Sequence, residues 1–239
     1  MNNDLIRSAL QENGIPFQEE LPEKLETYCR LLLDWNSRMD LTADTEEEEI
    51  LNRHFLDSLA ILRTEFIQPD SMMIDVGTGA GFPGLVLAMA RPDLKITLMD
   101  AQQKRLNFLE AVILETGTCN AELAHMRAED GGRDPRYRER FDFAAARALA
   151  PMNILCEFLL PFVRTGGYAL CWKGPALQEE LKSGAKAAEI LGGRLEEPVP
   201  CEIAGMNWNH RIQPILKIRK TAAVYPRKAG TPKSKPLVT

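Results

Sequence analysis

Four glycines within eight residues give the strongest chemical signal in this chain. Gly77, Gly79, Gly81 and Gly84 follow the short apolar run 72–76, "MMIDV". Glycine allows positive φ and lets the backbone approach a ligand closely. Counted from Gly79, the spacing is G-x-G-x-x-G, which is typical of loops that bind the pyrophosphate of a dinucleotide. Counted from Gly77, it is G-x-G-x-G, the turn found in methyltransferases that use S-adenosylmethionine.

The residues around the glycines favour S-adenosylmethionine. Asp75 precedes Gly77 by two residues. Its charge repels a pyrophosphate, but it can organise the loop or hold the amino group of a methionine moiety. Phe82 and a proline follow the third glycine, and proline suits the first turn of a helix. Asp100 ends the next apolar run and can accept hydrogen bonds from ribose hydroxyls, a feature that NAD enzymes share. An NAD site therefore stays open.

Three further places carry candidate residues, each with a plainer alternative. Ala128 and Glu129 in "MRAED" can contact an adenine, or form an exposed loop cluster. Arg147 follows an apolar run, where an unpaired cation is costly, so it lines a pocket mouth or joins an ion pair. His54 and Asp57 in "RHFLDSL" share one helix face and can line a pocket, or His54 is a packing residue.

The surrounding pattern predicts how these residues are positioned. From residue 71, short apolar runs alternate with helix-length segments, which predicts an α/β fold with a mostly parallel sheet. Ligands of such sheets bind outside the carboxyl ends of the strands, where the glycines lie. We expect a helical extension at 1–70 and a Rossmann-like domain at 71–219. A basic, flexible tail is expected at 220–239.

Composition narrows the class of protein. The 239 residues are 45% hydrophobic with a net charge of −5, as in an ordinary globular protein. The sequence has no apolar run of membrane-spanning length and no signal-peptide pattern, and its five cysteines form no C-x-x-C pair. We therefore expect a cytoplasmic protein with neither a membrane partner nor a metal.

Residues 1–70 carry 16 acids and 6 bases, whereas 203–239 carry 8 bases and no acid. The basic end permits a polyanionic partner, or it is a solubilising tail.

Taken in order, the motifs resemble the RsmG (GidB) family of bacterial 16S rRNA guanine-N7 methyltransferases. "WNSRMDLTA" and "RHFLDSL" are similar to its helical N-terminal signature. "DVGTGAGFPG", "RAED" and "ARALAP" match its cofactor motifs, and "YPRKAGTPKSKPL" matches its closing basic segment. The resemblance runs nearly end to end. It implies the class I S-adenosylmethionine-dependent methyltransferase fold.

The resemblance also implies a reaction and its residues. Gly77, Phe82, Ala128, Glu129 and Arg147 would contact S-adenosylmethionine, which leaves as S-adenosylhomocysteine. The methyl group would go to N7 of guanine 527 in the 530 loop of 16S rRNA. Because N7 has a lone pair and no proton to lose, we expect alignment by Arg147 and no general base. We expect a monomer that acts on the small ribosomal subunit or its precursor. Phosphate contacts are expected from the basic residues Arg219, Lys220, Arg227, Lys228, Lys233 and Lys235.

Three other functions compete with this prediction. An NAD(P)-linked oxidoreductase would explain the Gly79 spacing and Asp100, but no second catalytic domain follows residue 175. A non-catalytic RNA-binding protein would not need an intact glycine loop. A methyltransferase of the same fold acting on another substrate is disfavoured by the basic end of the chain.

Overall fold

The structure of this protein is a computed structural model that describes residues 1–238. These residues are built around one mixed β-sheet. Its strands are β1 (Met72–Val76), β2 (Lys95–Asp100), β3 (Ala121–His125), β4 (Phe141–Arg147), β5 (Val163–Lys173), β6 (Gly193–Leu195), β7 (Val199–Pro200) and β8 (Arg211–Lys217). The strand order is β3-β2-β1-β4-β5-β8-β6, and β7 also pairs with β8. Strands β1 to β5 are parallel, and β8 is antiparallel to its neighbours. The predicted parallel sheet is confirmed, whereas its antiparallel extension was not predicted.

Five helices follow the parallel strands and cover the sheet. They are α5 (Gly84–Ala90), α6 (Gln103–Thr116), α7 (Ala128–Gly131), α8 (Met152–Leu159) and α9 (Leu177–Leu191). Every residue of α5 is buried, since this helix lies between the sheet and the N-terminal helices. Register places Asp100 opposite His125 and Arg147 opposite Trp172, so these side chains lie at the carboxyl edge of the sheet.

The N-terminal helices pack on the same core as the glycine loop. They are α1 (Asn3–Glu12), α2 (Leu21–Asn36), α3 (Glu47–Glu49) and α4 (Asp57–Leu59), with a π-helix at Ile50–Leu56 and a 3₁₀ turn at Ala60–Arg63. The ring centroid of Tyr28 lies 5.3 Å from that of Phe55 and 5.6 Å from that of Phe82. The extension thus contacts the residue that follows the third glycine. In the described part of the chain, no helix combines the length and apolarity needed to cross a membrane.

The segment 220–238 differs from the flexible tail expected from its composition. It lies against the core and contains the short helix α10 (Thr231–Ser234). Arg138 donates hydrogen bonds to the carbonyls of Thr221 (2.7 Å) and Tyr225 (2.8 Å), and Arg133 donates to the carbonyl of Pro226 (2.7 Å). These two arginines are distant in sequence from the segment, so composition alone does not reveal the contacts. Thr239 lies outside the described residues.

A buried lysine joins this segment to the sheet. Lys217, at the end of β8, has no exposed surface. Its ammonium donates to the carbonyls of Leu160 and Val163 and, at 2.8 Å, to the hydroxyl of Thr221. Burial lowers the pKa of Lys217 to about 8, although Glu139 at 3.4 Å acts in the opposite direction. The amine therefore fixes the point where the chain leaves the sheet.

Candidate functional site

The glycine loop is shaped by backbone conformation and close packing. Gly77, Gly79 and Gly81 have φ values of +69°, +59° and +98°. A Cβ atom on Gly81 would collide with the Tyr28 hydroxyl and would lie 2.9 Å from Cδ2 of Leu109. A Cβ on Gly79 would meet nothing closer than 3.8 Å. The third glycine is therefore required by packing, whereas a methyl group on the second would make only ordinary van der Waals contacts.

Asp75 organises the loop from below. Its Oδ2 accepts hydrogen bonds from the Thr78 hydroxyl at 2.8 Å and from the Gly84 amide at 2.9 Å. Its Oδ1 is buried and has no hydrogen-bond partner among the described residues. Burial raises the pKa of Asp75 to about 6. Of the two roles predicted for Asp75, the structure shows the first, organisation of the loop; binding of an amino group stays a prediction.

One cavity of about 240 Å³, here called the Asp100 pocket, lies at the carboxyl ends of β1, β2 and β3. Asp100 accepts hydrogen bonds from the amide of Gln102 at 2.8 Å (Oδ1) and from that of Gly79 at 3.0 Å (Oδ2). Gly77, Ala128 and Glu129, all predicted for the cofactor site, line this cavity with Asp100. Four of the nine residues predicted to bind the cofactor thus come together from three separate loops, whereas Asp75, Gly79, Gly81, Phe82 and Arg147 do not line this cavity.

The C-terminal segment closes one side of the Asp100 pocket, which sequence reasoning missed. Gly230 and Lys233 line the cavity with Phe158. Glu129 Oε1 accepts a hydrogen bond from the Gly230 amide at 2.8 Å, and the Lys233 ammonium lies 6.0 Å from the centroid of the Phe158 ring. Glu129 therefore holds the segment and lines the pocket at once.

Arg147 lies between the glycine loop and a second cavity. Its Nη1 donates to the carbonyl of Arg53 at 2.7 Å and contacts Asp57 Oδ2 at 3.3 Å. Its Nη2 donates to Nδ1 of His54, and its guanidinium carbon lies 4.9 Å from the centroid of the Phe82 ring. Burial lowers the pKa of Arg147, and Asp57 counteracts this. Both alternatives for Arg147 are therefore met, since it forms an ion pair and also lines a cavity.

That second cavity, here called the Arg147 pocket, has a volume of about 270 Å³. Its lining contains the predicted residues His54 and Asp57. Sequence reasoning missed the other side chains of its wall, which come from distant segments: Asp44, Arg53, Trp172, Lys173 and His210. A third cavity of about 250 Å³, beside Gly77 and Gly79, also contains Arg147 and His54, so these two residues line both this cavity and the Arg147 pocket.

The contacts of His54 determine its tautomer. Because a guanidinium only donates, Nδ1 must accept the hydrogen bond from Arg147. The ring proton therefore lies on Nε2, which is 3.0 Å from Asp44 Oδ2 and 3.0 Å from the Thr42 hydroxyl. Burial, with a further contribution from Arg147, lowers the pKa of His54 to about 3. His54 is thus a neutral imidazole with both nitrogens occupied.

Asp57 anchors the other end of this network. Its Oδ1 lies 3.0 Å from Nδ1 of His210, and its Oδ2 pairs with Arg147. Its backbone carbonyl accepts a hydrogen bond from Nε1 of Trp172 at 3.0 Å. Asp57 follows directly on the π-helix, a type of turn often found at functional sites. The side chain is only 3% exposed, so its charge is compensated by protein groups.

The predicted RNA-binding residues fall into two groups. Arg219, Lys220, Lys228, Lys233 and Lys235 are exposed. Arg227 is already paired with a protein group. Its guanidinium binds the buried carboxylate of Glu157, with 2.7 Å between Nη2 and Oε2. Arg227 is therefore used to attach the segment to α8. Among residues 1–238, no cluster of His, Cys, Asp and Glu has the arrangement of a metal site.

Comparison with known proteins identifies relatives across the chain. Residues 21–205 match the family described as rRNA small subunit methyltransferase G. A curated relative of that name from Alkaliphilus metalliredigens (strain QYMF) is 43% identical over 233 residues, which cover 98% of each chain. Another, from Clostridium perfringens (strain 13 / Type A), is 42% identical over 234 residues with the same coverage.

Solved structures share the fold at low identity. The 16S rRNA (adenine(1408)-N(1))-methyltransferase from Catenulisporales acidiphilia is 14% identical with a TM-score of 0.53, covering 64% of this chain and 90% of that one. Aeropyrum pernix fibrillarin, solved with natively bound S-adenosyl-L-methionine, is 14% identical with a TM-score of 0.51, covering 67% and 73%. The predicted class I methyltransferase fold is confirmed. These relatives give no support to an oxidoreductase.

Proposed function

The chain belongs to the rRNA small subunit methyltransferase G family, and we propose that it methylates N7 of guanine 527 in the 530 loop of 16S rRNA. The methyl donor in this proposal is S-adenosylmethionine. The proposal joins the reaction implied by the sequence motifs to the geometry of the Asp100 pocket and the Arg147 pocket.

The residues of the Asp100 pocket and the glycine loop fit this donor. The acid at the end of β2 can accept hydrogen bonds from ribose hydroxyls, and the cavity beside Gly77 and Gly79 leaves room for a ligand. The unpartnered Oδ1 of Asp75 suits a positively charged ligand group. The residues proposed to hold the cofactor are Asp75, Gly77, Gly79, Gly81, Phe82, Asp100, Ala128, Glu129 and Arg147. When bound, S-adenosylmethionine supplies an electrophilic methyl group and leaves as S-adenosylhomocysteine.

The state of His54 is the observation that carries the proposal. His54 is the imidazole nearest the glycine loop, yet it is neutral, doubly hydrogen-bonded and has a pKa of about 3. Such a group cannot accept a proton efficiently at neutral pH. An acceptor that must lose a proton could not use His54 as its base. Guanine N7 has an in-plane lone pair and no proton, so it can react by direct in-line displacement.

The charges of the Arg147 pocket support the same acceptor. During methyl transfer the positive charge moves onto the purine ring. Asp44 and Asp57 line this pocket and place carboxylates where that charge would develop. Preorganised opposite charge of this kind stabilises a transition state. We infer that Arg147 aligns the base and the donor, because it lines both the Arg147 pocket and the cavity beside Gly77 and Gly79.

RNA would be positioned by the exposed basic residues. Arg219, Lys220, Lys228, Lys233 and Lys235 can contact phosphates without reading sequence. The N7 edge of a duplex base faces the deep, narrow major groove of A-form RNA, so an irregular loop is the accessible substrate. We propose that the partner is 16S rRNA within the small ribosomal subunit or its precursor.

The test is to incubate the protein with radiolabelled S-adenosylmethionine and unmodified small ribosomal subunits, and then to map the label. We expect one labelled guanine, guanine 527, methylated at N7. Arg147→Ala should lower kcat/KM by roughly a hundredfold or more, because alignment is lost. Arg164→Ala, which removes an exposed ion pair with Asp142 at 2.6 Å, is the matched control.

Three results would contradict the proposal in different ways. Label at another RNA atom would change the acceptor. Cofactor binding without any labelled RNA, in particles or as free 16S rRNA, would point to another substrate. Absence of cofactor binding would mean that the glycine loop holds a different ligand.

A further inference from the structure

Two side chains at the mouth of the Arg147 pocket form a donor and acceptor pair. Nη1 of Arg53 donates to Oδ1 of Asp44 at 2.9 Å, and Oδ2 of the same carboxylate accepts from Nε2 of His54 at 3.0 Å. Both Arg53 and Asp44 line the pocket. The Arg53 side chain is 47% exposed and that of Asp44 is 14% exposed. The pair is thus held by the network behind it and is accessible from the pocket.

The other acid of the pocket is less exposed than Asp44, and its other Arg and Lys side chains are less exposed than Arg53: Asp57 is 3% exposed, Arg147 15% and Lys173 11%. Asp57 binds Arg147 and His210, and Arg147 in turn binds Asp57, His54 and a backbone carbonyl. Arg53 retains donors on Nε and Nη2. Each Asp44 oxygen has a second lone pair. Arg53 and Asp44 are therefore the charged groups best able to make new hydrogen bonds to a base.

A hydrogen-bond donor beside an acceptor, in the order Arg53 then Asp44, complements the edge of guanine, whereas adenine needs the reverse order. Guanine presents the O6 acceptor next to the N1–H donor, whereas adenine presents the N6 amino donor next to the N1 acceptor. Orienting N7 toward the methyl donor restricts how the base can turn. With O6 toward Arg53 and N1–H toward Asp44, guanine would meet a cationic donor and an anionic acceptor. Adenine would place donor against donor and acceptor against acceptor.

We propose that Arg53 and Asp44 read the O6/N1–H edge of the target guanine and thereby determine the base specificity of this enzyme. The inference rests on the proposed function, since it assumes that the Arg147 pocket receives the methylated base. Mismatched polar groups in a desolvated site discriminate strongly, because each is left without a partner. A bidentate pair of this kind corresponds to roughly tenfold to hundredfold discrimination.

The experiment compares two bases at one position. Small subunits are reconstituted with 16S rRNA carrying either guanine or 2-aminopurine at the target site. 2-Aminopurine keeps N7 but lacks O6 and N1–H. The wild-type protein should prefer guanine in kcat/KM by roughly tenfold to hundredfold. Asp44→Asn should reduce this preference to within about threefold, mainly through slower methylation of guanine.

Two further variants make the result interpretable. Asp34→Asn, which removes a carboxylate that pairs with Arg38 at 3.0 Å on an exposed helix face, should keep the full preference. Arg53→Gln tests the donor half of the pair, and its preference should fall as well. The Arg53 backbone carbonyl, which Arg147 contacts, is unaffected by that substitution. If Asp44→Asn does not fold, Arg53→Gln decides the question.

The outcomes separate this inference from the proposed function. If the wild-type protein methylates neither base at N7, the proposed function is wrong. If it methylates guanine, but a folded Asp44→Asn and Arg53→Gln both keep the wild-type preference, only the specificity assignment is wrong. A preference lost in both variants and kept in Asp34→Asn supports it.

Discussion

The Asp100 pocket and the Arg147 pocket differ in the groups that line them. The Asp100 pocket is lined by Gly77 and Gly230, both at positive φ, and by two carboxylates that accept hydrogen bonds from backbone amides. The Arg147 pocket is walled by charged side chains that bind one another. A backbone site depends on local conformation. A side-chain network depends on every member being present, so substitutions should affect the two pockets differently.

The largest expected effect is in the charged network. Asp57→Asn removes the carboxylate that compensates Arg147, and loss of one partner of a buried ion pair costs about 3–5 kcal/mol. We expect this loss in the free energy of unfolding and a fall in methyl transfer of roughly a hundredfold. Affinity for S-adenosylmethionine should stay within about threefold of wild type if the pockets are separable, as calorimetry can measure. A parallel loss of cofactor affinity would show that the two pockets are not separable.

A similar loss is expected where the Asp100 pocket meets the C-terminal segment. Arg227→Ala leaves the buried Glu157 carboxylate without its partner, at a cost of about 3 kcal/mol. Because Gly230 and Lys233 belong to the same segment, cofactor affinity should fall as well. Lys228→Ala, which removes an exposed charge, should leave both quantities nearly unchanged and weaken only RNA binding. Thermal melts and cofactor titrations of both variants test this.

Two alanine substitutions in the glycine loop can be compared directly, and we expect losses of stability of intermediate size. Gly81→Ala brings a methyl group against Tyr28 and Leu109 and adds the strain of positive φ, so we expect a loss of about 2–4 kcal/mol. Gly79→Ala has the same strain without the close contact, so about 1 kcal/mol is expected. Chemical denaturation measures both values. Equal losses would show that packing against Tyr28 does not constrain the loop.

The smallest expected effect concerns protonation of His54. Its pKa is about 3 in the folded protein and about 6.5 in an unfolded chain, so the unfolded state binds more protons between these values. The stabilisation is complete above pH 6.5 and is lost as the pH falls. Between pH 7 and pH 5.5 the loss should be about 1 kcal/mol.

His54→Gln provides the control for this pH dependence. Glutamine can accept from Arg147 and donate to Asp44, yet it does not titrate. The free energy of unfolding of this variant should therefore lack the pH dependence that His54 causes. The raised pKa of Asp75 contributes in the opposite direction, but equally in both proteins, so it cancels when they are compared. Equal pH dependence in the two proteins would mean that His54 titrates normally when folded. Denaturant unfolding at the two pH values gives the answer.

The same contrast explains what could be predicted from sequence. The glycine loop, Asp100 and the pair at 128–129 were predicted because each lies within a short contiguous motif at the end of a strand. Arg53 and His210 were not, since they reach the Arg147 pocket only through long-range packing. The pattern indicated five parallel strands but missed β8, whose antiparallel pairing with β5 depends on a long connection. Composition suggested a free tail because Arg133 and Arg138, which bind its carbonyls, are some 80 to 90 residues away in sequence.

The buried amine of Lys217 can be used as a chemical probe of how often the C-terminal segment opens. An amine-reactive reagent reaches the exposed lysines directly, but it reaches Lys217 only after the segment that begins at Thr221 has lifted from the sheet. The rate of its labelling therefore reports the free energy of that local opening. Since the same segment closes the Asp100 pocket, a ligand bound there should slow the labelling of an amine that it never touches.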